Sequence, residues 1–134
     1  MTEIPNLYRV ILQVSDIEKG AEFYTKLLGT EGRRIRGGSR HYFDCGAVIL
    51  ALVDITAEGD QARPTPDNIY FSVKDLEAIY ERVRELGCLS TGDVHGAPAG
   101  EIVTRPWGER SFYAVDPFDN PICFVDESTV FTGK

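Results

Sequence analysis

The chain is poor in the residues from which small disulfide-stapled or metal-stapled domains are built. Its three cysteines, Cys45, Cys88 and Cys123, are odd in number and far apart, and none belongs to a Cys-x-x-Cys pair. That usage suits reduced thiols and argues against a disulfide framework or a zinc cluster. Histidine is scarcer still. His41 and His95 are the only two, and neither has a second His or a Glu at the spacing that sets two ligands on one helix or strand face. No Gly-x-Ser-x-Gly elbow, phosphate loop or dinucleotide fingerprint occurs. Long apolar runs are missing as well: nothing approaches the roughly 18 to 20 residues of a membrane span. The opening Met1–Arg9 lacks the basic, then apolar, then small-residue order of a secretion signal. A cytoplasmic protein with no membrane partner is expected. Positive charge is the last deficit. Fourteen Lys and Arg against 21 Asp and Glu leave a formal net charge of -7, which opposes attraction to nucleic acid and mildly favours cationic ligands.

What is present is a core and a repeat. Over 134 residues, 43% are hydrophobic, enough for one domain spanning the whole chain, 1–134. Arg9-Val-Ile-Leu-Gln-Val-Ser-Asp16-Ile-Glu18 lines up with Asn68-Ile-Tyr-Phe-Ser-Val-Lys-Asp75-Leu-Glu77 at a constant offset, since 68 − 9 and 75 − 16 both give 59. Each copy is an apolar β-branched and aromatic run, an Asp suited to capping a helix, and a helical pattern that stops at Gly29 or Gly87. Ile17, Ala21, Tyr24 and Leu28 form the apolar stripe of the first helix; Leu76, Ile79, Val83 and Leu86 form that of the second.

Short strands follow each helix. The first set reads Gly32–Arg36, a Gly37-Gly38 turn, Arg40–Asp44, a Cys45-Gly46 bend and Val48–Val53. The second reads Glu101–Arg105, a Pro106-Trp107-Gly108 turn, Arg110–Val115, an Asp116–Asn120 turn and Pro121–Val125. Thr56–Asp67 reads as a surface connection and Cys88–Gly100 as a loop rich in glycine and small residues. The fold class that follows is α+β, two βαβββ modules covering 6–55 and 67–127.

The pieces Leu12-Gln-Val-Ser-Asp16, Phe23-Tyr24, Leu28-Gly29, Phe71-Ser-Val-Lys-Asp75, Gly108-Glu-Arg-Ser-Phe112 and Asp116-Pro-Phe-Asp-Asn120 resemble the vicinal oxygen chelate superfamily. That superfamily includes glyoxalase I, extradiol dioxygenases, and fosfomycin and bleomycin resistance proteins. The likeness covers nearly the whole chain. It implies a curled mixed sheet with a shared concave groove, helices on the convex side, a small-molecule ligand in the groove, and a homodimer as the usual assembly. Strand alternation then assigns Val10, Leu12 and Val14 to the helix side and Arg9, Ile11 and Gln13 to the groove. In the second module Ile69, Phe71 and Val73 face the helix and Asn68, Tyr70 and Ser72 the groove.

Metal-dependent members place His, Gln or Glu at the start of each module's first strand and Glu in its last, so the resemblance singles out four positions here. They hold Arg9, Asn68, Cys123 and, by the repeat that sets Val53 under Val125 (125 − 53 = 72), Ala51. Arginine has no acceptor, alanine no donor atom, and a neutral amide binds metals poorly, which leaves Cys123 alone; no metal or other cofactor is expected. A single cysteine in an apolar strand is more often a core residue than a ligand.

The expected groove set is Arg9, Gln13, His41, Asn68, Tyr70, Trp107 and Cys123. Several members carry two readings. His41 is a groove contact or base, or more simply a hydrogen-bonded strand residue. Arg9 fills the vacated space in a salt bridge, with Asp44 or another groove carboxylate as its partner, or binds an anionic substrate. Trp107 is a stacking platform or a hairpin anchor. The run Arg33, Arg34, Arg36 and Arg40 reads as a solvated hairpin. Functionally, a metal-independent binding protein of the bleomycin-resistance type leads. The alternative is a metal-dependent lyase, isomerase or dioxygenase with an unusual ligand set around Cys123 or His41, or a metal-free enzyme using Arg9, His41 or a tyrosine.

Overall fold

A computed structural model describes residues 2–134. The chain forms two compact units, the first ending at Arg63 and the second running from Pro64 to Lys134. The boundary falls inside the polar connection expected from its prolines and glycine.

In the first unit β1 (Arg9–Val14) leads into α1 (Ile17–Leu28), followed by β2 (Arg33–Arg34), β3 (Arg40–Cys45) and β4 (Val48–Asp54). The sheet order is β1-β4-β3-β2, with β1 parallel to β4 and the other pairs antiparallel. The second unit repeats the plan with β5 (Ile69–Val73), α2 (Leu76–Leu86), β6 (Asp93–Val94), β7 (Ala97–Pro98), β8 (Val103–Thr104), β9 (Arg110–Val115) and β10 (Pro121–Asp126). Its main sheet runs β5-β10-β9-β8, again with one parallel pair, β5 with β10. The class is α+β with no closed barrel.

Both helices begin and end for local reasons. The carboxylates of Asp16 and Asp75 accept from the amides of Lys19 and Ala78, three residues on, satisfying donors that have no partner in the first turn. Gly29 and Gly87 stop the helices in the left-handed region, at φ 75° and 70°, where a Cβ is costly. Each helix buries its stripe against the sheet of its own unit. The first stripe is turned by about one residue from expectation: Gly20, Ala21, Phe23, Tyr24 and Leu27 are buried, whereas Ile17 and Leu28 are half-buried. Leu12, Val14, Phe43 and Leu52 complete that core. In the second unit Leu76 and Val83 pack with Phe112, Ile122 and Phe124, and the rings of Phe71, Phe124 and Phe112 stack in series at 5.3 and 5.4 Å. Complete burial of side chains this size contributes about 1.5–3 kcal/mol each.

Two expectations need correction. The strands foreseen over Gly32–Arg36 and Glu101–Arg105 are only two residues long as regular ladders, because each runs at once into its hairpin turn, closed by Ile35 N–H to Arg40 and Arg105 N–H to Glu109 carbonyls. The loop Cys88–Gly100 is not irregular: β6 and β7 form a hairpin within it, turned by His95 and Gly96 at φ 50° and 79°. Its Val94, together with Ala99, packs against Tyr113, Cys123 and Val125.

Candidate functional site

The sheet register reproduces the repeat. In the first unit Ala51 on β4 lies between Ile11 and Tyr42; in the second Cys123 on β10 lies between Tyr70 and Tyr113. These are corresponding positions on the face of each sheet opposite its helix.

On that face of the first unit, exposed Arg9 donates to the Tyr42 hydroxyl at 3.4 Å and lies 5.6 Å from the Tyr42 ring and 5.1 Å from that of Tyr8. Asp44 is not its partner: that carboxylate takes Arg33 at 3.1 Å. Two arginines flanking one tyrosine leave the nearby acid to the closer one. Gln13 turns its side-chain carbonyl to the Arg63 amide at 2.9 Å, holding the connection against β1. His41 lies on the other face. It alternates with Tyr42, packs 4.9 Å from Phe43, accepts from Arg34 Nε through Nδ1 at 3.2 Å, and meets the Glu31 carbonyl through Nε2 at 2.8 Å. Both ring nitrogens are therefore engaged by the protein.

The corresponding face of the second unit is roofed. Cys123 is fully buried beneath Ala99 and Val94. Burial pushes its thiol up to about 12, against smaller opposing effects of Ser111 and Arg105. Tyr113 is also pushed well above the ordinary phenol value, first by burial and then by Cys123 and Tyr70; Tyr70 moves the same way. Arg105 is 2% exposed. Its guanidinium donates to Ser111 Oγ at 3.0 Å and to the carbonyls of Ser111, Glu101 and Pro98 at 3.0, 3.1 and 3.4 Å, and lies 5.0 Å from the Tyr113 ring. Among the described residues no carboxylate pairs with it.

Beside this buried row opens a cavity of about 460 Å³, lined by Tyr70, Phe71, Ser72, Trp107, Glu109, Val125, Val130 and Phe131. Glu109 organises its wall. One carboxylate oxygen accepts from the Trp107 indole N–H at 2.7 Å, the other from the Phe131 amide at 2.8 Å, so a single side chain sets the tryptophan and ties the C-terminal segment across the opening. The His95 ring meets Trp107 edge-on at 5.0 Å. Of the seven expected residues, Tyr70 and Trp107 line the cavity and Cys123 lies in the buried cluster next to Tyr70. Asn68 is half-buried just before β5, and Arg9, Gln13 and His41 belong to the first unit. Ser72, which strand alternation put on this face, also lines it; Glu109 and Phe131 were not foreseen. Glu109 had a signal, its place directly after the Trp107-Gly108 turn; Phe131 had none, because a short tail carries no periodicity.

The late Asp-Pro-x-x-Asn turn has a structural explanation. Asp116 Oδ1 accepts from the amides of Phe118 and Asn120 while Oδ2 accepts from the Asn120 side chain, and Asn120 Oδ1 takes the Thr65 amide. The turn aims β10 and fastens the incoming chain. No three His, Cys, Asp or Glu among the described residues are grouped to hold a metal ion, and the residues at the superfamily's ligand positions do not fit one. No helix among the described residues is long and apolar enough to cross a membrane.

A fold of two βαβββ units defines the class, and the comparison with known families agrees. A profile of the Glyoxalase/Bleomycin resistance protein/Dioxygenase superfamily matches residues 6–124, and the chain belongs to that superfamily. No curated protein matches the sequence. Among solved structures it is similar to the oxidase ChaP-H1 (24% identity, TM-score 0.75, covering 98% of this chain and 100% of that one) and the oxidase ChaP-H2 (26%, 0.72, 92% and 94%). It is also similar to a glyoxalase/bleomycin resistance protein from Albidiferax ferrireducens T118 (20%, 0.72, 90% and 97%).

Proposed function

We propose that this chain is a metal-independent small-molecule-binding protein of the bleomycin-resistance type, an antibiotic being one class of ligand to test. The carrying observation is the chemistry at the four ligand positions: Arg9 stacked on Tyr42, Ala51 with no donor atom, Asn68, and a Cys123 thiol sealed in an apolar cluster and raised to about 12. A thiol must lose its proton to bind a metal, and here burial opposes that loss. The cavity beside Cys123 has the size and mixed lining of a small-ligand site.

A panel of glycopeptide and aromatic antibiotics, read by melting temperature and calorimetry, is expected to yield at least one binder. No shift and no heat across the panel would remove the resistance reading. The competing reading is an enzyme of the same superfamily with an unusual ligand set, for which the 26% likeness to oxidase ChaP-H2 speaks. Elemental analysis separates the two. Protein purified without chelator is expected to carry less than about 0.1 equivalent of any transition metal and to gain no stability when one is added; a full equivalent would favour the enzyme. We further propose a homodimer, which light scattering would reject by returning the 14.9 kDa mass of one chain.

A further inference from the structure

We infer that the cavity of the second unit recognises an organic ammonium cation, seated among the rings of Tyr70, Trp107 and Phe131 and facing the Glu109 carboxylate. The inference rests on the small-molecule reading above and names the class of ligand. Four aromatic side chains, these three and Phe71, border one cavity of about 460 Å³. Tyr70 and Phe131 are each 53% exposed, so both rings are open to a ligand. An aromatic ring presents a negative face, so several around one space attract a cation. The same lining includes one carboxylate. Glu109 is 8% exposed, yet both its partners are neutral N–H groups, and among the described residues no Lys, Arg or His pairs with it. A carboxylate has about four acceptor directions, so two remain for a ligand. The nearest buried cation, Arg105, spends its donors on Ser111 and three carbonyls and its face on Tyr113. The chain's formal charge of -7 adds a long-range attraction of the same sign. Val125 and Val130 supply an apolar floor and rim for the ligand's hydrocarbon part.

Trp107 is the chain's one tryptophan, so its fluorescence reports on this cavity alone. The full chain is titrated with benzyltrimethylammonium chloride, with its uncharged carbon isostere neopentylbenzene, and with benzenesulfonate. The cation is expected to change the signal saturably, to bind about tenfold more tightly than the neutral isostere, and to weaken as salt is raised; the anion is expected not to saturate. Phe131→Ala, which removes an exposed ring and leaves the Phe131 amide in place, is expected to weaken the cation several-fold at unchanged melting temperature, and Tyr70→Ala, which also removes the partner of the buried Tyr113 hydroxyl, is expected to weaken it as much with some loss of stability. Equal affinity for the neutral compound, stronger binding of the anion, or no loss in either ring variant would overturn the inference. Those outcomes leave small-molecule binding standing; only silence from these compounds and the antibiotic panel together would remove both.

Discussion

Arg9 and Arg105 each lay a guanidinium over a tyrosine, Tyr42 in the first unit and Tyr113 in the second, and the two tyrosines stand opposite the corresponding strand residues Ala51 and Cys123. The tyrosines are equivalent by register, but the arginines reach them from different elements, Arg9 from the start of β1, whose counterpart in the repeat is Asn68, and Arg105 from the turn after β8. Their surroundings differ completely: Arg9 is exposed, with one long hydrogen bond to a hydroxyl, whereas Arg105 is buried and satisfied by carbonyls and Ser111. Duplication has preserved the helix side of each sheet, with its caps and core, and let the opposite side diverge. In the first unit that side became an exposed layer of charge over an aromatic; in the second it became a roofed apolar cluster flanked by the buried Arg105, beside a cavity.

The sharpest way to break the comparison is to remove both cations. Arg105→Met leaves the buried hydroxyl and carbonyl of Ser111 without their guanidinium partner, along with the more open Glu101 and Pro98 carbonyls, and is expected to cost about 2–4 kcal/mol in urea unfolding, while Arg9→Met stays within about 0.5 kcal/mol. Equal costs would show that Arg105 is not the structural member of the pair. The next effect belongs to the first unit. Gly32 has φ 62°, and a Cβ there would lie 2.5 Å from the Tyr42 carbonyl oxygen, so Gly32→Ala is expected to cost about 2 kcal/mol and to loosen β2 from β3, read by amide exchange at Tyr42 and His41.

Alkaline pH tests the Cys123 against Ala51 contrast. The folded thiol titrates near 12 against an ordinary value of 9.0, so above pH 9 the unfolded chain releases a proton that the folded chain keeps. Stability is then fully present below pH 9 and falls as pH rises toward 12, by about 1 kcal/mol at pH 10. Cys123→Ala should make that slope shallower, the remainder belonging to Cys88, whose thiol burial raises to about 11, and to the tyrosines; an unchanged slope would assign all of it to those groups. The same burial predicts that Cys123 resists thiol reagents at pH 8 until the chain is unfolded.

The smallest effect concerns the helix starts. Glu18 and Glu77, 59 residues apart, each bind an arginine, Arg34 and Arg110, and both carboxyls are held below their ordinary value of 4.5 chiefly by that hydrogen bond. Their contribution is present above pH 4.5 and lost as pH falls through the lowered values. Both lie at the surface, where solvent screens them. Glu18→Gln and Glu77→Gln are therefore expected to change the melting temperature at neutral pH barely and alike, and a large loss in one alone would mark it as more than a surface pair.

Legibility followed the range of the interactions. Asp16, Gly29, Asp75 and Gly87 could be read from the chain because capping is decided within four residues, and strand faces could be read because side chains alternate with period two. The equivalence of Ala51 and Cys123 was read from the repeat, but the register that sets Tyr70 beside Cys123 was not. The stripe of α1 was off by one position because 3.6 residues per turn leave two adjacent rows nearly equivalent until a sheet selects one. The partner of Arg9, the face taken by His41 and the hairpin over Cys123 depend on residues ten to thirty or more positions away, and pattern within a window says nothing about them.

The sequence by itself determined the repeat of strand, capped helix and glycine stop, and the alternation that divides each strand's two faces. These are properties of local propensity, periodicity and side-chain chemistry. Only the tertiary structure decided that Glu109 joins Trp107 to Phe131 and that Tyr70 shares a cavity with them. Bringing a turn, a strand edge and a chain terminus together is the work of packing, which leaves no mark on any one segment.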